Sequence, residues 1–161
     1  MDSNSLSPFE IDERQLFDYS FVSRDGIKYR VFFSPLYNYY PQFKNTYSFS
    51  IEPEDRRPHP IDVRIAITVI EIIRRFFEKK ENAMIMVCDN LDGKEEKRHK
   101  LFDRWFQQYT DGTIDKYDAY AHEDGYALYA SIYFKHTNPD RAQLKDAFYD
   151  LMKQDPFEIV I

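Results

Sequence analysis

The sequence has a single cysteine, no excess of basic residues and no long hydrophobic run. One cysteine excludes an internal disulfide, which suits a reducing compartment. No stretch reaches the roughly 18 consecutive apolar residues of a membrane-spanning helix. The N-terminus, MDSNSLSPFEIDE, is polar and acidic and lacks the apolar centre of a signal peptide. We therefore expect a cytoplasmic protein without a membrane segment.

Charge argues against a nucleic-acid-binding surface over the whole chain, because the net charge is -6 at pH 7. Residues 93–100, GKEEKRHK, form a local basic run that begins with Gly-Lys. The upstream glycine of a phosphate-binding loop is missing, and two glutamates interrupt the run. A solvated helix face is the better interpretation, and nucleic acid is not an expected partner.

Aromatic residues are abundant: 17% of the 161 residues are Phe, Trp or Tyr, and 43% are hydrophobic. A chain of this length and composition can bury the core of one domain. We expect residues 1–8 to be a disordered tail and residues 9–161 to be a single domain.

Hydrophobic patterns predict an α+β fold in the order β-β-β-α-β-α-β-β-α, with helices packed on a mixed, mostly antiparallel sheet. Asp25-Gly26 and Asp124-Gly125 each join two runs rich in aromatic and β-branched residues, which is a hairpin signal. Residues 9–16 give no clear pattern. The predicted strands are 17–23, 27–34, 46–52, 84–88, 114–123 and 126–136, and the predicted helices are 61–80, 93–109 and 141–153.

The helix at 61–80 is apolar over more than half of its circumference. A helix that packs on one side needs an apolar stripe of only about 100°. Either other elements of the fold flank this helix, which is the more common outcome, or part of it faces another subunit. The pattern therefore leaves a homodimer open.

Residues that can support chemistry crowd together between Ala83 and Tyr109. Met84–Cys88 is continuously apolar and predicts a strand buried on both faces. A turn follows, and Asp92 is placed to cap the next helix. Cys88 and Asp89 therefore lie at the carboxyl end of a buried strand, close to the start of a helix.

That helix carries one charge on its apolar face. At 100° per residue the inward residues are Leu101, Phe102, Trp105, Phe106 and Tyr109. Arg98 falls in the middle of this face, and a charge buried alone costs several kcal/mol. We therefore predict an ion pair between Arg98 and Asp89. Lys97, Lys100 and Arg104 form a basic outward flank that is a candidate binding surface.

The residues of this corner could support catalysis or metal binding. A helix N-terminus lowers a thiol pKa, so Cys88 is a candidate nucleophile with Asp89, Asp92 and His99 as base or orienting groups. A cysteine in an apolar run is more often a core residue, and His99 lies on another side of the helix. The acids are not at calcium-loop spacing. No metal or cofactor is therefore expected.

The segment Leu36–Lys44, LYNYYPQFK, is a loop with three tyrosines: Tyr37, Tyr39 and Tyr40. Amphipathic rings often fold back over the edge of a core, which is the favoured interpretation. Alternatively the rings are exposed and bind a partner, because tyrosine is enriched at protein interfaces.

The run VCDNLDGKEEKRHKLFDRWF resembles the core of an uncharacterised family of small proteins of the Bacteroidota. The resemblance extends over nearly the full length and implies no established activity, cofactor or catalytic residue. It implies a bacterial, cytoplasmic setting and directs attention to residues 87–106.

These observations favour a non-catalytic module that binds another protein. An antitoxin-like or immunity-like regulatory role agrees with the size and the acidity. The alternative is an enzyme or ligand-binding protein that uses the corner of Cys88, Asp89, Asp92 and Arg98.

Overall fold

The computed structural model describes residues 7–55, 63–89, 95–109, 112–123 and 125–154. Within these residues the chain forms a seven-stranded mixed sheet and three helices, which confirms the α+β class. The strands are β1 Asp12–Gln15, β2 Asp18–Val22, β3 Lys28–Pro35, β4 Thr46–Pro53, β5 Ala83–Asp89, β6 Ile114–Glu123 and β7 Tyr126–Lys135. The helices are α1 Val63–Phe76, α2 Glu95–Tyr109 and α3 Arg141–Gln154.

The strands lie in the order β1-β2-β3-β4-β5-β7-β6. The β4–β5 pair is parallel and is connected through α1, whereas the other pairs are antiparallel. Both predicted hairpins are present. In the first, Gly26 has a φ of +77°, a left-handed conformation that glycine adopts at little cost, and the amide of Ser23 donates to Ile27 O at 2.8 Å.

The first strand is an addition to the predicted order. β1 pairs with β2 at the edge of the sheet, with an irregularity between Glu13 and Gln15. All four of its residues, DERQ, are exposed. A strand with no buried face shows no alternation of apolar and polar residues, so its sequence pattern carries no strand signal. A short, charged edge also discourages pairing with other chains.

The two faces of the sheet carry separate cores. On one face Phe33 of β3 stacks on Phe76 of α1 at 4.1 Å between ring centroids. Phe106 of α2 packs on Tyr133 of β7 on the same face, at 4.9 Å. On the other face α3 packs on β6 and β7 in a cluster that also includes Phe43.

The segment before β1 packs against part of the broad apolar surface of α1. Phe9 lies between α1 and β2, with its ring 6.1 Å from the ring of Phe21. The amide of Phe9 donates to Thr68 Oγ1 at 2.9 Å, and Thr68 Oγ1 donates to Arg64 O at 2.6 Å. The guanidinium of Arg64 lies 3.9 Å from the centre of the Phe9 ring. Packing within the fold therefore covers this part of the helix.

The helix α1 ends at Phe76, four residues before the predicted end. Asn82 Nδ2 donates to Phe76 O at 2.8 Å, and this side chain is almost fully buried. The carbonyl of Phe76 is thus satisfied by a side chain instead of a further helical turn. None of the described helices is long and apolar enough to cross a membrane.

Candidate functional site

The strand and the helix of the predicted corner are both present. Cys88 and Asp89 end β5, where they are opposite Tyr129 and Leu128 of β7. The next described residue is Glu95, at the start of α2. Asp92 lies outside the described residues, as do the side chains of Cys88, Asp89, Lys97, Arg98 and His99. The ion pair between Arg98 and Asp89 therefore stays a prediction.

The second half of α2 has the predicted orientation where its side chains are described. Phe102 and Phe106 are buried, and Trp105 is half-buried against the same core. Lys100 and Arg104 are exposed on the other flank. The side chains of Leu101 and Tyr109 lie outside the described residues. The helix therefore presents an aromatic face to the sheet and a basic flank to solvent.

A polar cluster joins α2 to the β6–β7 hairpin. Lys116 Nζ lies 2.5 Å from Asp103 Oδ1 and 3.0 Å from Asp118 Oδ1, and the Lys116 side chain is only 12% exposed. Ser131 Oγ donates to Asp118 Oδ1 at 2.5 Å. The cation thus lies between two carboxylates, and the cluster connects the helix to both strands.

Sequence patterns did not identify this cluster, because its members come from three different elements. Lys116 and Asp118 alternate with Tyr117 and Ala119 along β6, which is typical of a solvated strand face. The relevant signal is the cross-strand register, in which Asp118 lies opposite Ser131. Ser131 is fully buried and its hydroxyl donates a hydrogen bond to Asp118. This serine is therefore not accessible to a substrate. The geometry is suited to fixing α2 against the hairpin.

Two tyrosines lie between the polar cluster and the carboxyl end of β5. Tyr120 of β6 lies opposite Tyr129 of β7, with ring centroids 4.7 Å apart. Tyr129 is in turn opposite Cys88. Tyr120 is 54% exposed. The strand next to Cys88 therefore presents an aromatic pair, of which the Tyr120 ring is accessible to solvent.

The tyrosine loop, defined as residues 36–44, connects β3 to β4. Successive backbone hydrogen bonds stabilise it. The amide of Leu36 donates to Thr46 O at 2.9 Å, which closes the base of the loop. Leu36 O accepts from the amides of Tyr39 and Tyr40, at 3.0 and 2.9 Å. The amide of Phe43 donates to Tyr40 O at 2.9 Å. The loop is therefore held by its own backbone as well as by its ends.

Side chains of the tyrosine loop divide into anchors and exposed rings. Leu36 and Phe43 are buried in the core on the α3 side of the sheet. Tyr40 is half-buried, with its ring edge-on to Phe43 at 6.2 Å. Tyr37 and Tyr39 are 52% and 79% exposed. One tyrosine thus folds over the core, and two present their rings to solvent.

A shallow cleft of about 100 Å³ lies on the outer face of the N-terminal strands. The residues that line it are Arg14, Ser20, Lys28, Arg30, Glu52, Pro53 and Glu54. Arg30 binds Asp18 through two hydrogen bonds of 3.1 and 3.2 Å, and Lys28 lies 3.7 Å from Glu54. Hydrogen bonding to Arg30 lowers the pKa of Asp18 below its usual value. Positive and negative side chains alternate in the lining, so the cleft is neither basic nor acidic as a whole.

Metal-binding geometry is not found among the side chains that the structure describes, where no three His, Cys, Asp or Glu residues are grouped as ligands. No curated protein and no solved structure matches the chain. The profile of one family, described as a family of unknown function, matches residues 61–150, which is more than half of the 161 residues. The matched region runs from α1 into α3 and excludes the tyrosine loop. The chain therefore belongs to this family of unknown function, DUF6169.

Proposed function

We propose that the protein is a non-catalytic module that binds another protein through its tyrosine loop. The observation that carries this proposal is the combination of two exposed rings, Tyr37 and Tyr39, with two buried anchors, Leu36 and Phe43. A regulatory role of the antitoxin or immunity kind, in a bacterial cytoplasm, agrees with a small acidic chain that has one cysteine.

The physical basis is the low cost of ordering such a loop. A tyrosine side chain has two main torsions and a large amphipathic surface, so it adds contact area with little loss of entropy. A loop that is already fixed by backbone hydrogen bonds avoids a further ordering cost on binding. Tyrosine is also one of the residues that most often dominate binding energy at protein interfaces.

The alternative is a catalytic or ligand-binding site at Cys88, Asp89, Asp92 and Arg98. One observation favours it, because the family match includes this corner but not the tyrosine loop. The rate at which the full-length protein reacts with a thiol probe at neutral pH separates the two functions at this residue. Reaction far faster than that of a free thiol supports an activated Cys88, whereas slow reaction supports a core residue.

The direct test of protein binding is an affinity capture from the native cell with the full chain as bait. The variant Tyr37→Ser/Tyr39→Ser removes both exposed rings and keeps the anchors. Val22→Ser is the matched control, because Val22 is 52% exposed and lies opposite Lys28, at the end of the strands away from the tyrosine loop. Mass spectrometry identifies the captured proteins, and titration of the purified partner gives the affinity of each bait.

We expect one partner to bind the wild-type and Val22→Ser baits equally. Loss of two interface tyrosines, each worth about 1–2 kcal/mol or more, should weaken its binding by at least about tenfold in the double variant. Equal capture by all three baits would place the binding surface elsewhere. Capture of no specific protein by the wild-type bait would contradict the proposal.

A further inference from the structure

A histidine joins three segments at the end of the β6–β7 hairpin that is opposite its turn. His136 directly follows β7, and its Nδ1 lies 2.6 Å from Asp115 Oδ1 on β6. Its Nε2 lies 2.8 Å from the carbonyl oxygen of Gly112, in the segment that leads from α2 into β6. The amide of His136 also donates to Thr113 O at 3.1 Å. The ring therefore ties the entry to β6 to the exit from β7.

The two oxygens that contact the ring, one from Asp115 and one from Gly112, determine which protonation state can bind both. A backbone carbonyl and an ionised carboxylate accept hydrogen bonds and cannot donate them. A neutral imidazole has one N–H and can satisfy one of these two oxygens, whereas an imidazolium donates to both. The protonated form therefore makes two charge-assisted hydrogen bonds, and the neutral form makes only one hydrogen bond.

We propose that His136 is a pH-dependent clasp. When the ring is protonated, it holds Gly112, just before β6, against the open end of the hairpin. When the ring is neutral, one of its two ties is lost, and this junction opens more often. Gly112, with a φ of +80°, lies at the point where the chain turns into β6.

The environment of the ring favours its protonated form. The hydrogen bond to Asp115, followed by the one to Gly112, raises the pKa of His136 above 6.5. The charged residues that flank it in sequence are Lys135 before it and Asp140 and Arg141 after it. None of these three is among the causes of the raised pKa. Asp115 is thus the described charge that faces the ring, whereas Asp111 lies outside the described residues.

The consequence would be a pH-dependent contact at the entry to β6, the strand that follows α2. This helix carries the exposed side chains of Lys100 and Arg104 and is connected to β6 through residues 110–113. Asp103 ties the same helix to Lys116, two residues beyond Ile114 at the start of β6. Opening of the clasp would therefore loosen the contact of Gly112 with His136 while the cluster around Lys116 still holds the helix. This inference is independent of binding by the tyrosine loop.

The test is amide hydrogen exchange of the full chain, followed by NMR at several pH values and corrected for intrinsic exchange rates. The probe is the amide of residue 136, and the amide of the fully buried Ile132 is the internal reference. His136→Gln removes the titrating ring. His122→Gln is the matched control, because His122 is an exposed histidine of β6. A titration of the histidine ring resonances in wild type and in Asp115→Asn accompanies it.

In wild type we expect the protection of amide 136 to fall about two- to fivefold between about pH 5.5 and about pH 8.5, the size expected of an exposed charged contact. The Ile132 reference should not follow this change. His122→Gln should behave as wild type, and His136→Gln should show no such dependence. The pH midpoint of the His136 ring should be lower in Asp115→Asn than in wild type, because Asp115 is the main cause of the raised pKa. The same pH dependence in His136→Gln, or an unchanged midpoint of the His136 ring in Asp115→Asn, would overturn the proposal.

Discussion

Lys116 of β6 and Asp103 of α2 form an ion pair with 2.5 Å between Nζ and Oδ1, across the interface between helix and sheet. The Lys116 ammonium is largely shielded from water and also contacts Asp118. Burial of a charge is tolerated where opposite charges surround it. The pair therefore fixes the position of α2 along the hairpin, which the nonspecific packing of Phe102 and Phe106 does not do alone.

Lys116→Met is expected to lower the free energy of unfolding by about 1–3 kcal/mol, because it removes charge-assisted hydrogen bonds and leaves two carboxylates close together. Denaturant unfolding measures the change. Lys79→Met is the control: Lys79 is exposed in the turn after α1, and such changes are usually within about 0.5 kcal/mol. Equal stability of Lys116→Met and wild type would show that the cluster is not stabilising.

Thr68→Val is expected to detach the segment before β1 from α1. Valine keeps the shape of threonine but leaves the buried amide of Phe9 without an acceptor, at a cost of about 1–3 kcal/mol. Limited proteolysis should cut near Phe9 faster in this variant. Thr68→Ser keeps the hydroxyl and should retain the resistance of the wild-type segment. If both variants are cut at the same rate, the hydrogen bond does not hold the segment.

Phe43→Ala is expected to destabilise the fold by about 3–5 kcal/mol, because Phe43 is fully buried under the tyrosine loop. Tyr39→Ala, in the same loop, should change stability by no more than about 0.5 kcal/mol, because its ring is exposed. Thermal unfolding of the two variants measures this contrast. A large loss of stability in Tyr39→Ala would mean that the ring has a structural role, and the binding proposal would lose its main support.

The fold was predictable where the signal is local, and the polar cluster was not. Asp25-Gly26 marks the first hairpin by itself, and the periodicity of α2 places Phe102 and Phe106 inward. The partners Asp103 and Lys116 are 13 residues apart and meet only through the arrangement of three elements. The sequence predicted an ion pair of α2 at Arg98. In the described residues, the ion pair between this helix and the sheet is made by Asp103.

The stability of the N-terminal strands should depend on pH through Asp18. Its pKa is lower in the folded protein than the usual 3.8, because Arg30 donates hydrogen bonds to the carboxylate. The stabilisation is therefore fully present above pH 3.8 and is lost as the pH falls through the lowered folded value. Asp18→Asn removes this dependence. Acid unfolding should show that the variant and wild type differ above this range and converge below it; a constant difference would contradict the assignment.

The pair predicted between Arg98 and Asp89 is best tested by a double-mutant cycle, because a single substitution also leaves the other charge unpaired. Arg98→Ala, Asp89→Asn and the double variant are compared with wild type by denaturant unfolding. If the two side chains form an ion pair on the inward face of α2, the coupling free energy should be about 1–3 kcal/mol. The exposed Arg104 on the other flank is the control, and its cycle with Asp89 should give a coupling near zero. Equal coupling for both arginines would mean that Asp89 responds only to the general positive charge of the helix.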